Sequence, residues 1–255
     1  MKILNKEDLL VINIFKSELL KLKRSRFLEI VMIIPIFFVC TGISNFIRYK
    51  STFMKHNPSI WDPIYEQSAL MYGLFLLPLL VTIIMAILVH IEKTDNNLRR
   101  IVSLPIKKSH IYICKFLAGS LLIFINIVVF IVIVVICGNL LKPANSSMPL
   151  YVIYRPILAY FSLLPVMAIQ YYLSMKFSNV FISIGIGTIF SIPSVLVGIT
   201  KFWIVFPWCY AFKAISATHT SMPIPTGILM YIIGIVTTII VTLKGIKELN
   251  NKDIL

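Results

Sequence analysis

Hydrophobic and polar positions alternate along this chain in long blocks. Six blocks are apolar over the length a helix needs to cross the hydrocarbon layer of a bilayer, at least about 17 residues. They cover residues 27–47, 69–90, 111–138, 151–175, 180–200 and 227–243. The third contains an unbroken apolar run from Ile127 to Cys137. Prolines punctuate several blocks: Pro35 in the first, Pro78 in the second, Pro156 and Pro165 in the fourth, and Pro193 in the fifth. A spanning helix tolerates such breaks where its neighbours satisfy the freed backbone groups. Gly185, Gly187 and Gly198 in the fifth block predict close approach to other helices.

The segments between the blocks predict the remaining elements. Residues 1–26 form a helix of moderate amphipathicity. Leu9, Ile12, Phe15, Leu19 and Leu22 lie on one stripe and Asn13, Ser17, Lys21 and Arg24 lie opposite, while Leu10, Ile14 and Leu20 blur the division. A helix lying in the membrane interface, with its lysines among anionic headgroups, fits this pattern. Arg48–Tyr65 reads as a polar external loop with Trp61 and Tyr65 at the interface. Residues 201–226, broken by Pro207, Pro223 and Pro225, begin apolar and aromatic (KFWIVFPWCYAF) and read as interfacial or re-entrant. The longest polar interruption is Ile91–Lys115. Within it, Asn96–Val102 predicts a short helix capped by Asp95 or Asn96 and stopped by Pro105.

Composition agrees with this pattern. Of 255 residues, 58% are hydrophobic and 13% charged, about half the charge of a soluble domain. The fold class is all-α and polytopic: a single transmembrane domain over 1–255, with six spans, an N-terminal interfacial helix and a short helix between spans two and three. The first 26 residues are charged throughout and lack a small-residue cleavage site, so they read as a retained N-terminus.

The net charge of +14 does not gather into a nucleic-acid face; it is spread over loops. With both termini inside, seventeen of the 24 Lys and Arg residues fall on internal segments and seven on external ones. Cytoplasmic loops carry the excess of positive charge. The loop with Lys93, Arg99, Arg100, Lys107 and Lys108 is therefore expected in the cytoplasm. A helix there, lying across the ends of two spans, is a handle through which a cytoplasmic partner moves both.

The candidate chemistry is sparse. No phosphate-binding GxxxxGK[ST] loop and no HExxH are present. The four cysteines, Cys40, Cys114, Cys137 and Cys209, are scattered. Cys137 and Cys209 fall toward the outer side, as small packing residues or as a disulfide pair. The histidines read as interfacial side chains rather than ligands. Charged residues stay near span ends, including Glu29, Glu66, Glu92, Lys115 and Lys176. Pumps and ion-coupled transporters place such groups inside the membrane, so the work here must come from another chain. The aromatic residues Trp203, Phe206, Trp208 and Tyr210 read first as an interfacial belt and second as the lining of an external exit.

Two stretches carry a resemblance. Glu92-Lys93-Thr94, Leu98, Ser103-Leu104-Pro105-Ile106-Lys107-Lys108 and Lys115 resemble the pattern between spans two and three of ABC-2 type transporter permeases, with Lys93-Thr94-Asp95 standing where Gly-Thr is usual. Ser17-Glu18-Leu19-Leu20-Lys21-Leu22-Lys23-Arg24-Ser25 is similar to a stretch of the lantibiotic-immunity permeases of the mutacin and epidermin type. The resemblance implies a permease subunit with no catalytic, cofactor or metal site of its own. A cytoplasmic ABC ATPase binds ATP and Mg and couples to Glu92, Asp95, Asn96, Leu98, Arg99, Arg100, Lys107 and Lys108, and its closure pushes the Asp95–Val102 helix and the interfacial helix that carries Glu18, Lys21, Lys23 and Arg24. A second permease subunit, the same or a different chain, completes the pair. The implied cargo is an amphipathic peptide antibiotic expelled from the plasma membrane of a Gram-positive cell. An ABC-2 exporter of another drug or lipid is the alternative, with an intramembrane enzyme behind it.

Overall fold

The computed structural model describes residues 6–24, 27–56, 59–94, 107–141, 147–216 and 224–251. Among them every regular element is helical, and six helices are long and apolar enough to cross a membrane. In chain order they are α1 (Lys6–Arg24), α2 (Phe27–Arg48), α3 (Lys50–His56) and α4 (Trp61–Met71). A π-helical turn, Tyr72–Leu76, joins α4 to α5 (Leu77–Thr94). Then come α6 (Lys108–Leu141), α7 (Tyr151–Lys176), α8 (Val180–Ser191), α9 (Ser194–Val197), α10 (Tyr210–Ile215) and α11 (Ile224–Asn251).

The core sits between α5, α6 and α7. The second span presses on α7 and α8, α2 packs on α4 and α6, and α11 closes the bundle against α7 and α6. α1 packs along α6 and touches α2. Phe15 and Leu19 face the core, whereas Ile12, expected on the same stripe, is exposed together with Asn13, Lys16, Ser17, Leu20 and Lys21. Lipid-facing positions stay apolar, as on α11, where Ile228, Ile232, Ile235 and Ile239 are exposed.

The second span starts earlier than its hydropathy suggests. The expected polar loop holds α3, and α4 begins at Trp61. Pro63 falls in the first turn, where a missing N–H costs no helical bond. Trp61 and Tyr65, expected at the interface, are fully buried. Trp61 lies over Gly138, where any Cβ would overlap its ring. The Tyr65 ring meets Tyr151 edge-on at 5.4 Å.

The proline breaks are met from across the bundle. Pro35 has no N–H to give the carbonyl four residues earlier, that of Val31. Asn126 supplies it: its Nδ2 donates to the Val31 carbonyl at 2.5 Å, and its Oδ1 accepts from the Tyr72 hydroxyl at 2.6 Å. Near Pro78 the expected kink takes the form of the π turn just upstream. Pro193 ends α8 and divides the fifth span into α8 and α9. That span meets its neighbours along one narrow stripe, Ser183, Gly187 and Ser191, and is otherwise largely exposed. A Cβ on Gly187 would overlap Thr82 and Gln170, whereas Gly185 faces open space. The sixth span also runs beyond its expected end: α11 carries the basic stretch Lys244–Asn251 as helix.

Replacing Asn126 with Leu keeps the branched shape of the side chain and removes both hydrogen bonds. A buried polar group left unmet costs about 1–3 kcal/mol, so N126L should lower the thermal midpoint of the detergent-solubilised protein by several degrees. An unchanged midpoint would show that the carbonyl at the Pro35 break needs no partner.

Candidate functional site

The end of the bundle where α5 finishes and α6 begins gathers most of the described charge. A helix leaves its last four carbonyls without intrahelical partners, and its C-terminus favours a cation. At the end of α7 that cation is Lys93 from α5. Its Nζ donates to the carbonyls of Ser174 at 2.7 Å, Met175 at 3.1 Å and Phe177 at 2.5 Å. The half-buried lysine ties the end of the second span to the tight turn between the fourth and fifth. Beside it, Gln170 is fully buried and donates to the Ser183 carbonyl at 2.7 Å. The hydroxyls of Ser174 and Ser183 meet at 2.7 Å.

α6 is held to two neighbours at the same end. Its Lys115 is 2% exposed and forms an ion pair with Glu18 of α1, Nζ to Oε2 at 3.2 Å; Glu18 is itself 5% exposed. The other Glu18 oxygen accepts from Lys21 at 2.8 Å. The adjacent Cys114 thiol lies 3.7 Å from the carbonyl of Val11, about two turns before Glu18 on α1. On the far side, Lys108 donates to the Asn250 carbonyl at 3.3 Å. Tyr112 packs so closely on Gly245 that a side chain there would overlap its hydroxyl. α11 is also fixed to α7, because the Tyr172 hydroxyl donates to Glu248 at 2.6 Å. Lys244 lies over the same ring, 5.3 Å from its centroid.

The residues expected to receive a partner therefore divide. Glu18 and Lys21 are described, and Glu18 points into the bundle rather than outward. Lys107 is exposed, and Lys108 reaches α11. Asp95, Asn96, Leu98, Arg99 and Arg100 lie outside the described residues, as do the side chains of Glu92, Lys23 and Arg24. Sequence reasoning missed Asn126, Gln170 and the capping role of Lys93. The signal for the first two was a lone amide side chain inside an apolar run.

At the opposite end, residues 192–216 fold back into the bundle. α10 packs on α7 and on the π turn, with Ile215 seated on Gly73. The Tyr65 hydroxyl caps the Ile215 carbonyl at 2.9 Å, and the Tyr210 hydroxyl donates to the Ile204 carbonyl. The broken backbone of this segment is met by side chains, and residues 217–223 of the stretch expected to be interfacial or re-entrant lie outside the described residues. Of the aromatic candidates, Trp208 stacks on Phe190 at 4.9 Å and, like Tyr210, is buried. Phe206 and Trp203 are half-exposed, with Lys213 5.5 Å above the Trp203 ring. The four aromatics contact one another in pairs, Trp203 with Tyr210 and Phe206 with Trp208. The four cysteines are free. Burial pushes the Cys209 thiol up to about 12, against the smaller opposing pull of Lys213.

Six candidate spans, with an N-terminal helix packed along the third of them, agree with the layout that the resemblance implied. A family profile described as ABC-2 family transporter protein matches residues 14–194, most of the chain. The chain belongs to the ABC-2 transporter family. It is thus a membrane-spanning permease component of an ATP-binding cassette transporter. No curated protein matches it. The matched region of this ABC-2 permease runs from the middle of α1 to α9, so it includes the Lys93 cap and both members of the Glu18–Lys115 pair.

Two outcomes test this geometry. Lys93→Met removes charged hydrogen bonds worth about 1.5–3 kcal/mol and should speed hydrogen exchange in the turn after α7 while leaving α6 protected; unchanged exchange there would refute the cap. Because its raised pKa keeps the Cys209 thiol neutral at pH 8, and because it is buried, Cys209 should resist alkylation in the folded protein and react only after unfolding. Rapid labelling at pH 8 would show that this segment opens.

Proposed function

We propose that this permease expels an amphipathic peptide of the lantibiotic type from the membrane, driven by a separate cytoplasmic ABC ATPase, and so protects a Gram-positive cell. The observation that carries the reading is the convergence on one end of the bundle. α1, the end of α5, the start of α6, the α7–α8 turn and the end of α11 all meet there, and charged side chains bind them together. The excess of Lys and Arg on that side supports its placement in the cytoplasm, with both termini. The loop around Arg99 and Arg100 is then the handle on which the ATPase bears. ATP and Mg belong to that partner. A second permease subunit, identical or different, completes the transporter.

The peptide cargo follows from the similarity of Ser17–Ser25 to immunity permeases. A cationic amphipathic peptide partitions into the interface, so its extraction calls for lateral entry from lipid and an outward exit. Trp203 and Phe206, half-exposed on the segment 192–216, suit the exit. Trp208 and Tyr210 support them from beneath.

Co-purification with a candidate ATPase subunit tests the reading. The two should elute together, and a lantibiotic should stimulate hydrolysis severalfold. Stimulation by an unrelated drug or lipid alone would reassign the cargo, and no association with any ABC ATPase would remove the basis of the proposal. Arg99→Glu with Arg100→Glu should abolish protection while leaving membrane insertion intact; wild-type protection would count against the handle. Labelling of 91–115 by an impermeant reagent on intact cells would reverse the assigned topology.

A further inference from the structure

α1 is an amphipathic helix, and such a helix stays at a membrane through its apolar face and its attraction to anionic headgroups. This one is attached differently. Its bundle face carries Phe15 and Leu19, and between them Glu18, whose carboxylate is taken below the surface to Lys115 on the second turn of α6. Both members are almost wholly excluded from solvent. The two groups are about a hundred residues apart in sequence and lie on either side of the handle loop. Lys115 sits less than two turns after Lys108, the point where α6 emerges from that loop. A buried pair of this kind penalises any other docking of α1, because a one-residue rotation or a one-turn slip takes the carboxylate away and leaves the buried Lys115 without it. Lys21 adds a second, more exposed cation to the same carboxylate, which closes the pair on its outer side.

We infer that Glu18 and Lys115 are positioning residues that make α1 and α6 move as one body, so that a push on α1 and a push on the handle arrive at the same span. The inference rests on the permease reading for its function but not for its geometry. Apolar contacts alone would hold α1 against α6 in several registers, and motion of α1 would then be lost by sliding. With the pair in place, displacement of α1 is passed to α6 at Lys115, and from α6 to α11 through Tyr112 and Lys108.

The test uses the full chain in lipid nanodiscs, alone and with its ATPase. In the chain alone, Glu18→Gln and Lys115→Met should each raise hydrogen exchange of α1 amides 11–21 at least tenfold, with α7 exchange unchanged as a control for folding. The exchanged set, Glu18→Lys with Lys115→Glu and with Lys21→Glu because Lys21 faces the same carboxylate, should return α1 to within threefold of wild type, as should Glu18→Asp. Should Lys115→Met fail to fold, Glu18→Gln and Glu18→Asp still decide the matter. In the complex, Glu18→Gln should keep the ATPase bound and hydrolysing at its basal rate, yet lose at least fivefold of the cargo-stimulated rate, and the exchanged set should recover it. Unchanged α1 exchange in Glu18→Gln would overturn the docking role. Faster exchange with undiminished stimulation would overturn the positioning role. If wild type recruits no ATPase, the permease reading fails by itself, and the exchange experiment still decides whether the pair fixes α1 on α6.

Discussion

Within a layer that contains no water, every backbone carbonyl released by a helix break has to find its donor inside the protein. That constraint explains where this bundle keeps its polar side chains. Pro35 frees the Val31 carbonyl, and Asn126 answers it from α6. α7 ends, and Lys93 arrives from α5. α10 ends below the surface, and Tyr65 reaches its last carbonyl. An unmet group in hydrocarbon costs several kcal/mol, more than the net gain of about 0.5–1.5 kcal/mol from an ordinary hydrogen bond. Each donor thus removes a penalty larger than its own contribution. In doing so it fixes which helix faces which, because lipid tails compete on equal terms for apolar faces and cannot supply a donor.

The two ends of the bundle meet this demand with different materials. At the end holding α1, long flexible side chains with charged heads bridge elements distant in sequence: Lys93 to α7, Lys115 to α1, Lys108 to α11. At the other end aromatic rings and small residues do the joining. Tyr65 packs against Tyr151, which in turn donates to Asp62, and Trp208 stacks on Phe190. The fifth span joins the two networks at single points, through Ser183 and Phe190. It touches the bundle along Ser183, Gly187 and Ser191 and is interrupted at Pro193, which leaves it lightly anchored. A transporter driven from one end needs a stiff region that receives force and a looser region that changes shape, and the distribution of contacts separates them in this way.

The apolar blocks were legible because hydropathy over a bilayer-length window is an averaged property, insensitive to single residues. Boundaries depend on single residues and were less so. Pro58, Asp62 and Pro63 were read as loop residues, yet Asp62 and Pro63 are ordinary occupants of a first helical turn, and Trp61 and Tyr65 owe their burial to Gly138 and Tyr151, which lie in other helices. Nothing local announces that. Asn126, an amide inside an apolar run, passed unremarked, and its meaning depends on Pro35, about ninety residues earlier. Lys93 and Lys115 were counted as loop charge because a topology tally treats all lysines alike. Of the residues expected to meet a partner, the structure describes Glu18, Lys21, Lys107 and Lys108, and it gives Glu18 a partner that linear spacing could not suggest.

The use of a charge at that point calls for a reason, since well-packed apolar side chains often match or exceed a buried ion pair in stability. The reason lies in what apolar contacts cannot do. Val11, Phe15 and Leu19 present similar surfaces at several rotations of α1, and dispersion falls off gradually as they slide. A carboxylate below the surface needs a cation within reach and meets a steep penalty where there is none. Where only adhesion is required, as along the exposed isoleucines of α11, the chain uses no charge at all. Where α1 must meet α6 in one register beside the loop that leads to a motor, it places Glu18 and Lys115. The exchange of some stability for a defined register is consistent with a helix whose position, rather than its attachment, is what the rest of the molecule reads.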